Sequence, residues 1–328
     1  MKNGPMKKRG RRELILDGEW QAAIKRRDIG TLARTITAIE RSPEFLLALS
    51  RYVFDENRAF SIGITGVPGA GKSTLLNQLI RAYRAQGKTV AVLAVDPSSI
   101  QTGGAVLGDR LRMQDHALDD NVFVRSLSTK GHLGGVSETT FISAQLLKYA
   151  GFDRVFIETV GIGQSELDIV SVADISTIVF IPGMGDYVQG IKSGIMEVGD
   201  VFALNKCDHE GVRALEKVIR MEAHDRENKT GVPLEVCLTN AVSGEGINEL
   251  IAAVEVALAR SDTQDSVRRQ RQLHAFSILL LEIELREHWL RCFLEGDSGR
   301  QFLSALAEGR SNPADIISVF SASLESKT

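Results

Sequence analysis

The chain has 328 residues, 43% hydrophobic and 25% charged, with a formal net charge of −3. That length exceeds one small domain, the composition is ordinary for a globular protein, and the slight acidity excludes a general nucleic-acid binder. No run approaches the roughly 18 apolar residues of a membrane helix. Cys207, Cys237 and Cys292 form no C-x-x-C pair, which excludes a cysteine metal or redox motif and points to the reducing cytoplasm.

The first residues are basic, Lys7-Lys8-Arg9 with Arg11-Arg12. No apolar stretch follows them, and Glu13, Asp17 and Glu19 come soon after, so neither a secretory signal nor a transit peptide is expected. From about Leu14 to Phe54 the spacing is helical: Leu32, Ile36 and Ile39, then Phe45, Leu46, Leu49 and Val53. Ser42-Pro43 fits an N-cap followed by a first-turn proline. Residues 1–58 therefore read as a helical prefix.

From Ala59 to about Arg260 strands and helices alternate. Apolar runs recur at Phe60–Thr65, Thr89–Val95, Val122–Leu127, Arg154–Thr159, Ile175–Ile181, Val201–Leu204 and Leu234–Leu238. Helical stretches at Thr74–Ala85, Ser137–Ala150, Val212–Glu222 and Ile247–Leu258 separate most of them. Unbroken apolar strands are buried on both faces, and alternation with helices makes a parallel sheet. The fold class is α/β with a mostly parallel central sheet, residues 59–260, and its ligands belong at the carboxyl ends of the strands.

The first strand runs into Gly66-Val67-Pro68-Gly69-Ala70-Gly71-Lys72-Ser73, the phosphate-loop pattern G-x-x-x-x-G-K-[ST]. Its glycines let backbone N–H groups curl around phosphate oxygens, and the helix that follows adds its dipole and free amides. Lys72 can reach the β- and γ-phosphates, and Ser73 can ligate Mg²⁺. Asp96 closes the second strand, and a Gly-rich segment leads on to Asp109; both are candidate Mg²⁺-shell carboxylates. Glu158-Thr159-Val160-Gly161 ends the fourth strand where GTP-binding proteins carry D-x-x-G, and a longer carboxylate acting through water suits an ion that keeps several waters.

A glutamine that orients the attacking water commonly follows that glycine. Here Ile162 stands in its place, with Gln164 two residues on, so intrinsic hydrolysis is expected to be slow and a partner to complete the site. The loop Pro182 to Lys192 is the candidate for that role. Gln189 and Lys192 would share a helix face, and Lys192 could neutralise transition-state charge as an arginine finger does. A solvated surface lysine is the alternative. His132 has no Cys or His neighbours at ligand spacing and suggests no metal-transfer site.

Asn205-Lys206-Cys207-Asp208 is the N-K-x-D signature of guanine recognition. The Asp208 carboxylate can accept from both N1–H and the exocyclic amine of guanine, a donor pair that adenine lacks. Asn240-Ala241-Val242 follows the last strand as a second guanine loop, with Asn240 where Ser is usual and the Ala241 N–H available to O6. From about Ser261 the sheet pattern stops. Leu273, Phe276, Leu279, Leu280 and Ile283, then Leu290 and Phe293, mark a long amphipathic helix, with shorter helices expected at Arg300–Ala307 and Pro313–Leu324. That stripe, in residues 261–328, is buried either on its own domain or in a dimer.

These residues together resemble the MeaB/ArgK/MMAA family of GTPases, chaperones of adenosylcobalamin-dependent methylmalonyl-CoA mutase and related acyl-CoA mutases. The resemblance is carried by Gly66–Thr74, Val95 to Ser99, Gly108 to Met113, Arg125 to Gly135, Glu158-Thr159-Val160-Gly161-Ile162-Gly163-Gln164-Ser165-Glu166, Pro182 to Gly194 and Asn205–Asp208. It implies a P-loop NTPase fold, a homodimer closed partly by the C-terminal helices, and GTP hydrolysis to GDP coupled to loading, protecting or reactivating the mutase cobalamin. It places Lys72, Ser73 and Thr74 on phosphate and Mg²⁺, with Asp96, Asp109 and Glu158 around the metal. Asn205, Lys206 and Asp208 hold guanine, and the segment from Asp186 to Lys192 becomes the switch that couples nucleotide state to the mutase. Alternatives are a GTPase serving another metalloenzyme, a kinase linked to amino-acid transport and a non-hydrolysing nucleotide-gated module.

Overall fold

A computed structural model describes residues 14–53, 59–96, 116, 118–128, 138–159, 169, 172–183 and 195–264, then 270, 274, 276–278, 280–282, 284–285 and 290–325. By contact the chain divides into two units, Met1–Arg268 and Arg269–Thr328.

The first unit is built on seven parallel strands: β1 Phe60–Gly66, β2 Val90–Asp96, β3 Val122–Ser128, β4 Arg154–Thr159, β5 Ile175–Phe180, β6 Val201–Leu204 and β7 Glu235–Leu238. Their order across the sheet is β3-β2-β4-β1-β5-β6-β7. The apolar runs supply the reason: Val, Ile and Phe pack well on a pleated surface, and β1, β4 and β5 are buried along nearly their whole length. β1 lies at the centre, with Ile62 opposite Phe156 on one side and Ile175 on the other.

Helices cover both faces. The prefix forms α1 Gly18–Lys25, α2 Ile29–Arg41 and α3 Pro43–Val53; after β1 come α4 Lys72–Ala85, α5 Glu138–Tyr149, α6 Ile195–Val198, α7 Val212–Thr230 and α8 Ile247–Gln264. α4 and α8 bury Leu75, Leu79, Leu250 and Val254 with Ile62, Ile64 and Val179 in one core. α7 buries Leu215 and Ile219 against Ile178, Phe180 and Phe202 in a second. α7 outruns the stretch expected to end at Glu222. Its last turns are polar and carry no apolar stripe, and it stops where Gly231 takes φ +71°.

The prefix helices begin on side-chain caps: Asp17 accepts from Trp20 N, Asp28 from Thr31 N and Ser42 from Phe45 N. α2 and α3 pack on α5. The Trp20 ring stacks on Tyr149, its Nε1 donates to Thr35 Oγ1, and Lys25 Nζ donates to the Tyr149 carbonyl at 2.7 Å. Arg125 of β3 reaches Glu40 of α2 at 2.7 Å.

The amino ends of the strands share one device. The residue just before β4, β5 and β6 is an aspartate, and each caps the start of the adjoining strand. Asp153 accepts from Thr89 N and Oγ1, Asp174 from Ser61 N and Oγ, and Asp200 from Ser176 N. The Asp153 and Asp174 N–H groups answer by donating to the Thr89 and Ser61 hydroxyls. Asp174 also pairs with Lys148 at 2.5 Å. Burial alone would raise the Asp174 pKa, but Lys148 and Ser61 outweigh it and hold the carboxyl below the usual range. Asp153 is likewise held low, its hydrogen bonds to Thr89 overcoming burial.

The second unit contains helices Arg291–Glu295, Asp297–Ala307 and Ile316–Glu325. Phe293 meets Phe320 edge to face at 5.2 Å. Asn312 and Asp315 form a capping box with Pro313 inside it. A short 3-10 turn, Pro313–Asp315, precedes the last helix, which was expected to run unbroken from Pro313.

Candidate nucleotide site

The site residues gather at the carboxyl edge of the sheet, where β1 ends in a sharp turn. Gly66 has φ +141°, and a Cβ there would stand 2.3 Å from the Val179 carbonyl oxygen of β5. Gly71 has φ +84°, and a Cβ there would stand 2.5 Å from Asn205 Nδ2. Only glycine fits two such positions. Ala70 N donates to Val67 O at 3.2 Å and closes the loop. Gly71 offers α4 no side-chain cap, so the helix starts with its first amides turned to the loop. Pro68, Gly69 and Thr74 are exposed around that mouth.

Lys72 opens α4 and is buried, its Nζ donating to Gly66 O at 2.6 Å and Val67 O at 2.9 Å. Carbonyl dipoles thus hold a cation that burial would otherwise penalise. Beside it, Ser73 Oγ donates to Glu158 Oε1 at 2.6 Å. Glu158 is buried near the end of β4, opposite Ile64 of β1 and Ala94 of β2. Thr159 follows, donating to Thr65 Oγ1 at 3.0 Å. The backbone of Asp96 ends β2 one position beyond the Val95–Thr159 pairing and opposite Ser128. The phosphate-loop serine and the strand-end glutamate, 85 residues apart in the chain, are therefore in direct contact.

The second half of the site follows β6 and β7. Asn205 is buried; its Nδ2 donates to Ala70 O at 2.8 Å, and its Oδ1 accepts from Ala241 N at 3.0 Å. Lys206 takes φ +58°, a left-handed conformation uncommon outside glycine. Cys207 N then donates to Thr239 O and His209 N to Lys206 O, leaving Asp208 exposed on the turn. Burial, then Glu245 and Asp208, push the Cys207 thiol up, so it stays a protonated neighbour of this turn.

Asn240 folds its own loop, its Oδ1 accepting from Val242 N and Ser243 N. Val242 is exposed. Gly246 takes φ +74°, and a Cβ there would stand 1.9 Å from Leu238 O.

One expectation changes in form. The Ala241 N–H, expected to be available to guanine O6, donates to Asn205 Oδ1 instead. Asp109, Asp186, Gln189 and Lys192, with Ile162, Gln164 and His132, lie outside the described residues, and of Asp96 only the backbone is described. Two supporting residues escaped the motifs: Gln78 of α4, which donates to Ala241 O, and buried Thr239. Neither stands in a pattern that spacing alone picks out. Among the described residues no cluster of three or more His, Cys, Asp or Glu could hold a metal ion, and no helix is long and apolar enough to cross a membrane.

A phosphate loop between a central strand and its helix, a carboxylate on the loop serine, and an Asn-Lys-x-Asp turn clasped to the same loop define a P-loop protein of the GTPase class. The family model for the methylmalonyl-CoA mutase-associated GTPase MeaB matches residues 32–289, and the chain belongs to that family. Relatives agree with the class. A Pyrococcus abyssi protein described as a GTPase is 43% identical over 256 residues, covering 76% of this chain and 79% of its own. GTPase ArgK of Escherichia coli is 36% identical, covering 76% of this chain and 79% of its own. The mitochondrial methylmalonic aciduria type A homolog of Mus musculus is 39% identical over 196 residues, 58% of this chain and 47% of that one. A solved structure described as an LAO/AO transport system kinase superposes with a TM-score of 0.60 at 25% identity, covering 95% of this chain and all of its own.

Proposed function

We propose that this chain is a slow, Mg²⁺-dependent GTPase that gates loading, protection or reactivation of cobalamin in an acyl-CoA mutase of the methylmalonyl-CoA mutase type. Family membership supports the client, and the contact of Ser73 with Glu158 on the phosphate loop carries the enzyme. Lys72 holds the phosphates at the mouth of α4, with Thr74 behind it. Asp208 and Lys206 take the guanine, while Asn205 fixes their turn to the loop and Asn240 to Val242 line the far side.

Ser73 Oγ and the buried Glu158 carboxylate are hard oxygen donors of the kind Mg²⁺ takes, and Asp96 ends the neighbouring strand. A bound ion would neutralise charge on the β- and γ-phosphates. Asp109 joins that shell, and Lys192 with Gln189 and Asp186 answers the partner, which explains why Ile162 can stand where a water-orienting glutamine is common. A homodimer through the C-terminal helices fits the exposure of Leu281, Leu303 and Ile317.

The test is phosphate release from GTP by the purified chain, alone and with a purified cobalamin-dependent acyl-CoA mutase. Slow turnover that the mutase accelerates, with a complex on gel filtration, is expected. Turnover unchanged by the mutase, with no complex formed, overturns the chaperone half. The solved neighbour's description as a kinase favours a second reading, phosphate transfer to protein. γ-labelled GTP separates the two, because the label ends on inorganic phosphate or on a polypeptide.

A further inference from the structure

We infer that Gln78 is a positioning residue that sets how long the nucleotide is retained, by tying the guanine loop to the helix that carries Lys72. The inference rests on the guanine reading above and deepens it. Gln78 lies on the same helix as Lys72, less than two turns further along. Its Nε2 donates to Ala241 O at 3.0 Å. Ala241 is itself buried, with its N–H held by Asn205 Oδ1, and the Asn205 amide donates to Ala70 O in the phosphate loop.

The hydrogen bonds thus form a closed circuit: phosphate loop to Asn205, Asn205 to Ala241, Ala241 to Gln78, and back along α4 to Lys72. The three links join residues 135, 36 and 163 positions apart. Ala241 is gripped on both sides of its Cα, the N–H by one partner and the carbonyl by the other. The Val242 and Ser243 N–H groups are turned to Asn240 and lend the loop local shape. Gln78 anchors that shape to the phosphate half. Without it the base half can swing while the phosphates stay bound, which is how a nucleotide begins to leave.

Substitution of Gln78 therefore acts on release. Gln78→Glu keeps the shape but places an acceptor against the Ala241 carbonyl. Gln78→Met keeps the length and removes the donor without adding charge. The full chain is loaded with fluorescent N-methylanthraniloyl-GDP and chased with excess GDP, and melting is recorded without nucleotide. Loss of one hydrogen bond predicts release roughly three- to tenfold faster in Gln78→Met and faster still in Gln78→Glu. The nucleotide-free melting point should stay within about 3 °C of wild type.

Release at the wild-type rate in both variants, by a protein that still prefers GDP to ADP, overturns the inference. So does faster release that comes only with a matching loss of nucleotide-free melting point, since that is a structural role. A wild-type chain with no preference for GDP over ADP overturns the guanine reading itself. Should Gln78→Glu fail to fold, the neutral Gln78→Met carries the test.

Discussion

At the amino edge of the sheet Asp153, Asp174 and Asp200 each close the start of a neighbouring strand, whereas at the carboxyl edge Glu158 meets a phosphate-loop serine and Lys72 leans on two loop carbonyls. Both edges bury charge. The amino-edge charges are matched to strand amides and hydroxyls and, for Asp174, to Lys148. Their geometry is complete within the chain. At the carboxyl edge Lys72 follows a glycine with positive φ at the start of a helix, and Glu158, near the end of β4, faces the serine beside Lys72. One edge uses charge to fix the sheet, and the other presents it to a ligand.

The sharpest way to break that comparison is Asp174→Asn, which takes the carboxylate charge away from Lys148 and from the Ser61 amide and hydroxyl. It should cost about 3–5 kcal/mol in urea unfolding, with the GDP dissociation constant unchanged within about twofold. Adding Lys148→Met should give a combined loss smaller than the sum of the two single losses, because the two side chains interact directly. Lys72→Ala should do the opposite, lowering phosphate release on the order of 10²- to 10³-fold without lowering the melting point. A large stability loss in Lys72→Ala would erase the distinction between the edges.

Glu158→Gln retains an oxygen for Ser73 but loses the charge. GTP turnover should fall on the order of 10- to 100-fold and need more Mg²⁺ to saturate. An unaltered Mg²⁺ titration would remove Glu158 from the metal site.

The smallest effect is with pH. Asp153 and Asp174 have folded pKa values below the unfolded value of about 3.9. Their stabilisation is present above that value and is lost as pH falls through the folded ones. Asp153→Asn should therefore cost about 1 kcal/mol at neutral pH and flatten the acid limb of a melting profile taken from pH 6 to pH 3.

The strands were legible because unbroken apolar runs admit few other structures. β4 and β6 have the expected ends, and β1 and β2 each run one residue beyond theirs. Ser42-Pro43 announced α3 because an N-cap and a first-turn proline are local. The phosphate loop, Glu158 and Asn205 were legible as motifs, yet their contacts were not. Ser73 meets Glu158 and Asn205 meets Ala70 across spans that only the strand order brings together. The end of α7 was missed because periodicity sees an apolar stripe, and its last turns have none. The amino-edge clamps left a faint trace, an aspartate directly before three strands. It is visible once the strands are placed, but means little on its own, since Asp is also common in turns.

The α5 helix has buried residues on every side, among them Thr140, Phe141, Ile142, Ala144, Leu146, Leu147 and Tyr149. A helix covering a sheet usually keeps one wet face; this one has given it to α2 and α3. A shortened chain starting at Ala59 would therefore carry a greasy, exposed α5 and should clump rather than behave as a minimal nucleotide-binding module. The Arg125–Glu40 pair adds a charged tie between the prefix and the sheet, so losing the prefix would also strip β3 of a partner.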